Sequence, residues 1–520
     1  MGKNRLPISA STAERLALAM ILVLAALLRL VALGRDGLWA DECYGAVRTV
    51  LPLQQLAPQL AAEHQAPLYH LVQKLFVSAT SLSEWRMRLP SALLGILAVA
   101  MIWVTARKIV SARAGLVAAF LLAVSPLHVH YSREARNYAL LILATLAALW
   151  AVARLARRPT TGGGIMAGSA MLAVLYTHDI GGIYVAGILA AGLVLIIRAP
   201  QRRAALAALA VALAVAAVGY LPWLSSAVSR SAAIANEYDW LRPMWQHEFP
   251  WQIGRSLAAL SHGSMPPIRN HVRELYWTVW PALGLSALLI GLGFRRRGSW
   301  QLPEGASALV LGSLTPLIGI FAYSLLVSPV YAVGRVDSAA LPFFLILIAA
   351  GVAALPSRTA IAGTLIAFAG LALLPLQVDI RLDTRSQERN IAKYLAATMD
   401  DGDALVVACT QRSSQEYYLR FWKPRVEIRS FPAIRELHPF WIDWSSYSGA
   451  AIDLEARTVG KSAGEAIMKH GGKRVWVMFE PDPGNQALLL ELARTMNPGP
   501  VVELGYMGLK LASFHPAGSR

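Results

Sequence analysis

Eleven runs of apolar residues, most of them close to the length that crosses a bilayer, leave this chain few architectures to adopt. They fall at about 13–33, 88–108, 113–127, 134–156, 164–177, 180–198, 204–225, 274–294, 306–327, 336–355 and 358–376. A hydrocarbon core about 30 Å thick needs roughly 20 apolar residues per helical crossing. Inside it a helix satisfies its own backbone polar groups where water cannot. Only 15% of the 520 residues are charged, against about 25% in a typical soluble domain, and the mean hydropathy is +0.47. The expected fold is a polytopic α-helical membrane protein with about eleven transmembrane helices, followed by a C-terminal soluble α/β domain. The first run is long enough to span and has no clear small-residue cleavage site, so it reads as a retained anchor.

Charge sets the expected topology. The formal charge of +17 does not require a nucleic-acid partner, because much of it sits in short clusters between apolar runs. Lys3/Arg5/Arg15, Arg107/Lys108/Arg113, Arg154/Arg157/Arg158, Arg198/Arg202/Arg203, Arg295/Arg296/Arg297 and Arg358 all fall on one side when eleven segments span. Basic clusters in short loops mark the cytoplasmic side. A twelfth run, Pro67 to Ala79, carries His70, Gln73 and Lys74 and is short and polar for a span. Counting it would move most basic clusters outward, so it is placed flat at the interface, its Leu, Val and Phe facing lipid. The parity then puts everything after about residue 377 outside. The expected organisation is a transmembrane domain over 1–377, with outer-face loops 34–87 and 226–273, and a periplasmic α/β domain over 378–520.

The same parity collects the chemistry-bearing groups on the outer face. They include Asp41 and Glu42 after the first span, His64, His128 to Tyr138, Tyr176 to Asp179, and Ser328 to Asp337. Two adjacent carboxylates at the water boundary of a span can accept a proton, hold a metal or pair with a cation; a solvated loop is the plain alternative. Arg133, Arg136 and Arg335 offer the bidentate fork that suits phosphate, and pairing with lipid headgroups is the alternative for each. Arg29, about one turn inside the first span, is expected to snorkel. A structural reading of Arg133 and Glu134 is an ion pair closing a helix start, with Tyr138 a turn later as packing. His64, His128, His130 and His178, with Glu42, match no recognised zinc spacing, so a divalent metal is possible and its ligands are unknown. The aromatics of 226–273, Trp240, Trp245 and Trp251 among them, suit interfacial docking or sugar stacking, and the segment reads as a mobile lid.

From about residue 380 helices and strands alternate: helix 387–399, strand 404–408, helix 414–422, strand 425–428, helix 464–469, strand 474–479, helix 485–496 and a strand pair within 501–514. No glycine-rich phosphate loop accompanies them. Cys43 and Cys409 lie far apart and define no disulfide framework.

Several of these stretches resemble one family. Trp39-Ala40-Asp41-Glu42 after the first span is similar to the Asp-Glu motif of the bacterial glycosyltransferases of the C superfamily, and most to the protein O-mannosyltransferase and lipid A aminoarabinose transferase relatives. His64-Gln65-Ala66-Pro67-Leu68-Tyr69 is similar to their His-Pro-Pro-Leu-Tyr motif, although Gln65-Ala66 departs from the double proline. Arg86-Met87-Arg88-Leu89-Pro90-Ser91 is similar to the start of their second span, and Ser132 to Tyr138 to their Ser-Arg-Glu-Ala-Arg-x-Tyr segment. Gly334-Arg335 with Leu341-Pro342 is a weaker match to a late span. The resemblance implies inverting transfer of a hexosyl or pentosyl unit from a polyprenyl-phosphate-linked donor to a lipid, glycan or protein acceptor at the outer face of the bacterial inner membrane. It implies Asp41 as base and Glu42 as a substrate or metal ligand, and the later arginines as holders of the donor phosphate. His64, Tyr69, Tyr138 and His178 join the expected substrate site. Two other readings stay open: a transporter or flippase of lipid-linked sugars, and a non-catalytic membrane assembly protein. A flippase should line both membrane halves with polar groups, whereas here they gather on one face.

Overall fold

The computed structural model describes residues 11–63, 65–77, 82–237, 245, 249–263, 275–296, 299–300, 304–381, 386–432, 450–480, 483–505 and 508–516. The chain divides into two compact units. One comprises Met1–Leu33, Gln65–Val72 and Arg88–Leu382; the other comprises Gly34–His64, Gln73–Met87 and Asp383–Arg520.

Apolar helices build the first unit. Among the described residues six helices are long and apolar enough to cross a membrane: Glu84–Ile109, Tyr138–Arg157, Arg202–Ser226, Trp277–Phe294, Gly305–Leu326 and Arg358–Ile380. A bent pair, α6 (Ala112–Val124) and α7 (Pro126–Ser132), would make a seventh, and Thr161–Leu175, Gly181–Ile197 and Ser338–Ala353 are shorter apolar helices. The protein is therefore a multi-pass membrane protein. Its first helix, α1, runs from Thr12 to Leu30.

The bend between α6 and α7 is 61° and follows from Ser125-Pro126. Proline cannot donate to the ladder and its ring clashes one turn back, and the Ser125 hydroxyl caps the new helix by accepting from the His128 N–H at 3.4 Å. Breaking a helix inside an apolar unit strands carbonyl groups, and Arg29 meets them. It is fully buried. Its guanidinium donates to Leu122 O at 3.2 Å, to Ala123 O and Ala25 O at 3.1 Å, to Ser132 Oγ at 3.2 Å and to His128 Nδ1 at 2.7 Å. A guanidinium has no acceptor, so His128 must carry its proton on Nε2. Snorkelling is thus the wrong expectation for Arg29: the side chain points inward, where α6 presents acceptors that the sequence of α1 alone does not reveal. Helix packing here is tight enough that a Cβ at Gly95 would sit 2.1 Å from Ser132 Oγ.

The segment 226–273 also departs from the loop expected of it. Its described residues are helical: the helix beginning at Arg202 continues to Glu237, and after one turn at Phe249–Trp251 a second helix, α12, covers Gln252–His262. Trp245 and Phe249 lie against Phe321, with centroids 5.6 and 5.2 Å away, so these rings serve packing, while Trp251 is exposed. Residues 238–244, Trp240 among them, 246–248 and 264–274 lie outside the described residues.

His262 closes α12 inside the unit, and burial pushes its imidazole down to about 4. The free chain titrates near 6.5, so the stability that depends on a neutral His262 is complete above pH 6.5 and is lost as the pH falls toward 4. His262→Gln is expected to flatten that part of the melting-temperature profile of the detergent-solubilised protein. Parallel wild-type and variant profiles between pH 6.5 and 4 would refute the assignment.

The second unit carries a five-stranded sheet. Its strands are β1 (Ala404–Ala408), β2 (Glu427–Phe431), β3 (Val475–Phe479), β4 (Met496–Glu503) and β5 (Lys510–Pro516), in the order β2-β1-β3-β5-β4. β1 runs parallel to both β2 and β3, whereas β5 is antiparallel to β3 and β4. The two central strands, β1 and β3, are buried throughout, as strands covered on both faces should be. The buried Asp403 ties the central strands together: it accepts from the Lys473 and Arg474 N–H groups at 2.9 and 3.0 Å and from Trp476 Nε1 at 2.8 Å. The helix read at 464–469 is much longer, Ala450–His470.

Pro67–Ala79 is helical over Leu68–Val77. Leu75 and Phe76 are exposed apolar residues, as lipid-facing positions should be, but Val77 is buried.

Candidate active site

The acidic pair opens α2 (Ala40–Thr49) in the second unit. A residue before the helix start leaves its N–H without an intrahelical partner, and Glu42 supplies one: its Oε2 accepts from Trp39 N–H at 3.3 Å. Asp41 is 7% exposed and Glu42 0%. A carboxylate pair of a solvated loop should face water; these two do not. The positive end of the helix dipole favours negative charge at this position.

Glu63, which the sequence reading passed over, is fully buried in the same unit. Arg48 holds it from Nε at 3.0 Å and Nη2 at 2.8 Å, Gln59 Nε2 donates to it at 2.9 Å, and the Tyr44 hydroxyl donates to its other oxygen. Burial beside this carboxylate pushes the Tyr44 phenol well up, so it stays a donor. The signal for Glu63 was its position next to His64. His64 itself lies outside the described residues.

In the first unit three expected residues come together. Arg335 Nε donates to Tyr138 Oη at 3.1 Å, and the Tyr138 ring lies 6.1 Å from that of His178. Tyr131 stacks within 4.3 Å of Tyr138, and Tyr184 lies 5.5 Å from His178 while donating to Val336 O at 2.7 Å. Tyr131 falls in the stretch His128 to Tyr138 already read as outer-face chemistry, whereas Tyr184 was not picked from the sequence; its signal was a single hydroxyl in an otherwise apolar run. Asp337, two residues past Arg335, is fully buried. The cluster thus couples a cation to a wall of phenol and imidazole rings, a surface suited to an anionic group with an attached ring.

Tyr69 Oη pairs with Ser91 Oγ at 2.7 Å, and Ser91 donates to Arg136 O at 3.1 Å. Arg136 is half-buried. Arg133 reaches the end of α1: Nη1 donates to Val31 O at 2.8 Å and Leu28 O at 3.2 Å, and Nη2 to Ala32 O at 3.3 Å. It caps the C-terminal end of α1, where a cation is favoured. Glu134 pairs with His130 Nε2 at 3.2 Å, and His130 Nδ1 meets Asp379 at 2.5 Å. Among the described residues no group of three or more His, Cys, Asp or Glu is placed to hold a metal ion.

Residues 64–225 match the sequence model of the family described as dolichyl-phosphate-mannose-protein mannosyltransferase. Among solved structures, ArnT from Cupriavidus metallidurans bound to undecaprenyl phosphate is 16% identical, covering 98% of this chain and 99% of that one at a TM-score of 0.56. The Archaeoglobus fulgidus oligosaccharyltransferase tethered to an acceptor peptide is 14% identical, covering 98% of this chain and 74% of that one, also at 0.56. No curated protein sequence matches. The chain resembles the C-superfamily glycosyltransferases. The part of this glycosyltransferase-like chain that the family model matches carries Tyr69, Arg133, Arg136, Tyr138 and His178; Asp41, Glu42 and Arg335 lie outside it.

Proposed function

We propose that the protein transfers a hexosyl or pentosyl unit, with inversion, from a polyprenyl-phosphate-linked donor to a lipid, glycan or protein acceptor at the outer face of the inner membrane. The observation that carries the reading is the burial of Asp41 and Glu42 at the start of α2. Two carboxylates withdrawn from bulk water at a helix N-terminus suit a base and its neighbour better than a headgroup-facing loop. ArnT, solved with undecaprenyl phosphate, shares the fold over nearly its whole length and lends the donor class.

In this reading Asp41 takes the proton of the acceptor hydroxyl, whose oxygen bonds to the anomeric carbon of the sugar as the bond from that carbon to the donor phosphate oxygen breaks and polyprenyl phosphate leaves. The leaving phosphate needs cationic stabilisation rather than a strong acid, and Arg335 supplies it, its Nε held by Tyr138. Tyr138, His178 and Tyr69 line the donor site, with Arg136 beside it; Glu42 binds the sugar or acceptor. The described residues do not form a ligand set for a divalent metal, and no step is assigned to one.

Incubating the purified protein with a panel of polyprenyl-phosphate sugars, and following release of polyprenyl phosphate, tests the activity. No release from any donor, with or without added membrane extract as acceptor source, would count against it. Arg335→Ala is expected to raise the donor KM about 10- to 100-fold, as loss of a charge-assisted hydrogen bond worth about 1.5–3 kcal/mol implies. Equal weakening of acceptor binding would argue against a phosphate contact. Reporter fusions after residues 110, 200 and 380 should read inside, inside and outside; a cytoplasmic signal at 380 would overturn eleven crossings and the outward-facing tail.

A further inference from the structure

The peptide that leads into the acidic pair is held by side chains from the C-terminal part of the chain. Leu38 N–H donates to Tyr418 Oη at 2.7 Å, and Gly37 N–H donates to Ser386 Oγ at 2.7 Å. Arg389 Nη2 reaches both Ser386 Oγ at 2.8 Å and Arg35 O at 3.0 Å. All these residues belong to the second unit. Ser386 precedes helix α17 (Gln387–Thr398), which carries Arg389, and Tyr418 lies on α18 (Arg412–Trp422). Tyr418 and Ser386 are both buried, where a hydrogen bond is stronger and an unmade one costs more.

We infer that Tyr418 and Ser386 are positioning residues for Asp41, and that the C-terminal part of the chain sets the geometry of the acid pair. The two anchored N–H groups lie three and four residues ahead of Asp41. Helix α2 starts at Ala40, so a peptide fixed at 37–38 fixes the origin of a rigid element carrying Asp41 on its second position. Gly37 fits for want of a side chain: a Cβ there would lie 3.0 Å from Ser386 Cα and Arg389 Cβ and 3.1 Å from Tyr418 Oη. An ordinary surface loop would show neither the two short bonds nor the close fit. A misplacement of the order of 1 Å at a reacting group can cost about a hundredfold in rate, so these contacts have chemical weight even though they touch no substrate.

This inference rests on Asp41 being the base proposed above, and the test separates the two. Full-length wild type, Tyr418→Phe, Ser386→Ala, Ser386→Thr and Asp41→Asn are purified in detergent. Each is measured for turnover against polyprenyl-phosphate sugar, for melting temperature and for amide exchange over 37–45. Tyr418→Phe and Ser386→Ala are expected to lower kcat about tenfold, leave the donor KM within about twofold and speed exchange across 37–45, with Ser386→Thr restoring both. Unchanged exchange in Tyr418→Phe and Ser386→Ala overturns the anchoring. Faster exchange at undiminished kcat overturns the claim that the anchored geometry serves the reaction. A loss of kcat matched by a fall in melting temperature and by faster exchange throughout the chain reduces the contacts to general stability and also overturns it. Turnover retained by Asp41→Asn removes the base assignment, and it does so without reference to the exchange data.

Discussion

Asp41→Asn is expected to lower sugar transfer by about 10²- to 10⁴-fold, the usual contribution of a positioned general base, while leaving the protein folded and abundant. The substitution keeps the shape of the side chain and a hydrogen-bonding oxygen, so helix α2 should start as before. What it removes is the capacity to take a proton. Glu42→Gln is the matched control. Glu42 closes the helix start by accepting from Trp39 N–H, and an amide oxygen can still accept there, so the loss should be smaller and should include substrate affinity. Turnover by Asp41→Asn within a few-fold of wild type, assayed as release of polyprenyl phosphate, would remove Asp41 from the mechanism.

Arg29→Met should produce the largest loss of stability of any single change considered. The methionine stem fills much of the same volume, but Leu122 O, Ala123 O and His128 Nδ1 lose this donor, while Ala25 O keeps its helical one. A buried acceptor left unmade costs about 1–3 kcal/mol. Even with the usual non-additivity, the sum is on the order of several kcal/mol, enough to lower the yield of folded protein sharply. Arg29→Lys should fall between the two, since an ammonium carries fewer donors in a less extended geometry. Thermal unfolding in detergent, followed by size-exclusion profile, measures the order. A methionine variant that melts with the wild type would mean that the broken span holds its shape without the guanidinium.

The contrast between Arg29 and the apolar helices shows what can be read from one dimension. Run lengths and hydropathy locate helices well because a membrane core imposes a single requirement, self-satisfied backbone over about 20 residues, and composition states it directly. The fate of Arg29 depends on which carbonyls another helix leaves open. Those are freed by Pro126, about a hundred residues away, and no local pattern in α1 reports them. Asp41 was conspicuous because two carboxylates at a membrane exit are costly and therefore informative. Arg335 and Tyr138 carried a family resemblance and His178 an expected place on the outer face, but their convergence depends on three separate turns. Arg133 had the same kind of resemblance, and its contacts go to the end of α1. Glu63 went unread because its one signal was the neighbouring His64, and its burial at the end of a helix depends on Arg48 and Tyr44. The described residues of 226–273 are helical because polar and aromatic residues between spans suit an amphipathic helix as well as a loop.

The allotment of Gly34–His64 to the same unit as the C-terminal sheet bears on how such a chain can be recombined. A chimaera that grafts a relative's tail after residue 382 would leave Gly37 and Leu38 facing foreign side chains, and should be inactive even with every membrane helix intact. The exchangeable module is discontinuous. It includes Gly34–His64 and Gln73–Met87 together with the tail, so substrate choice should travel with all three pieces or with none.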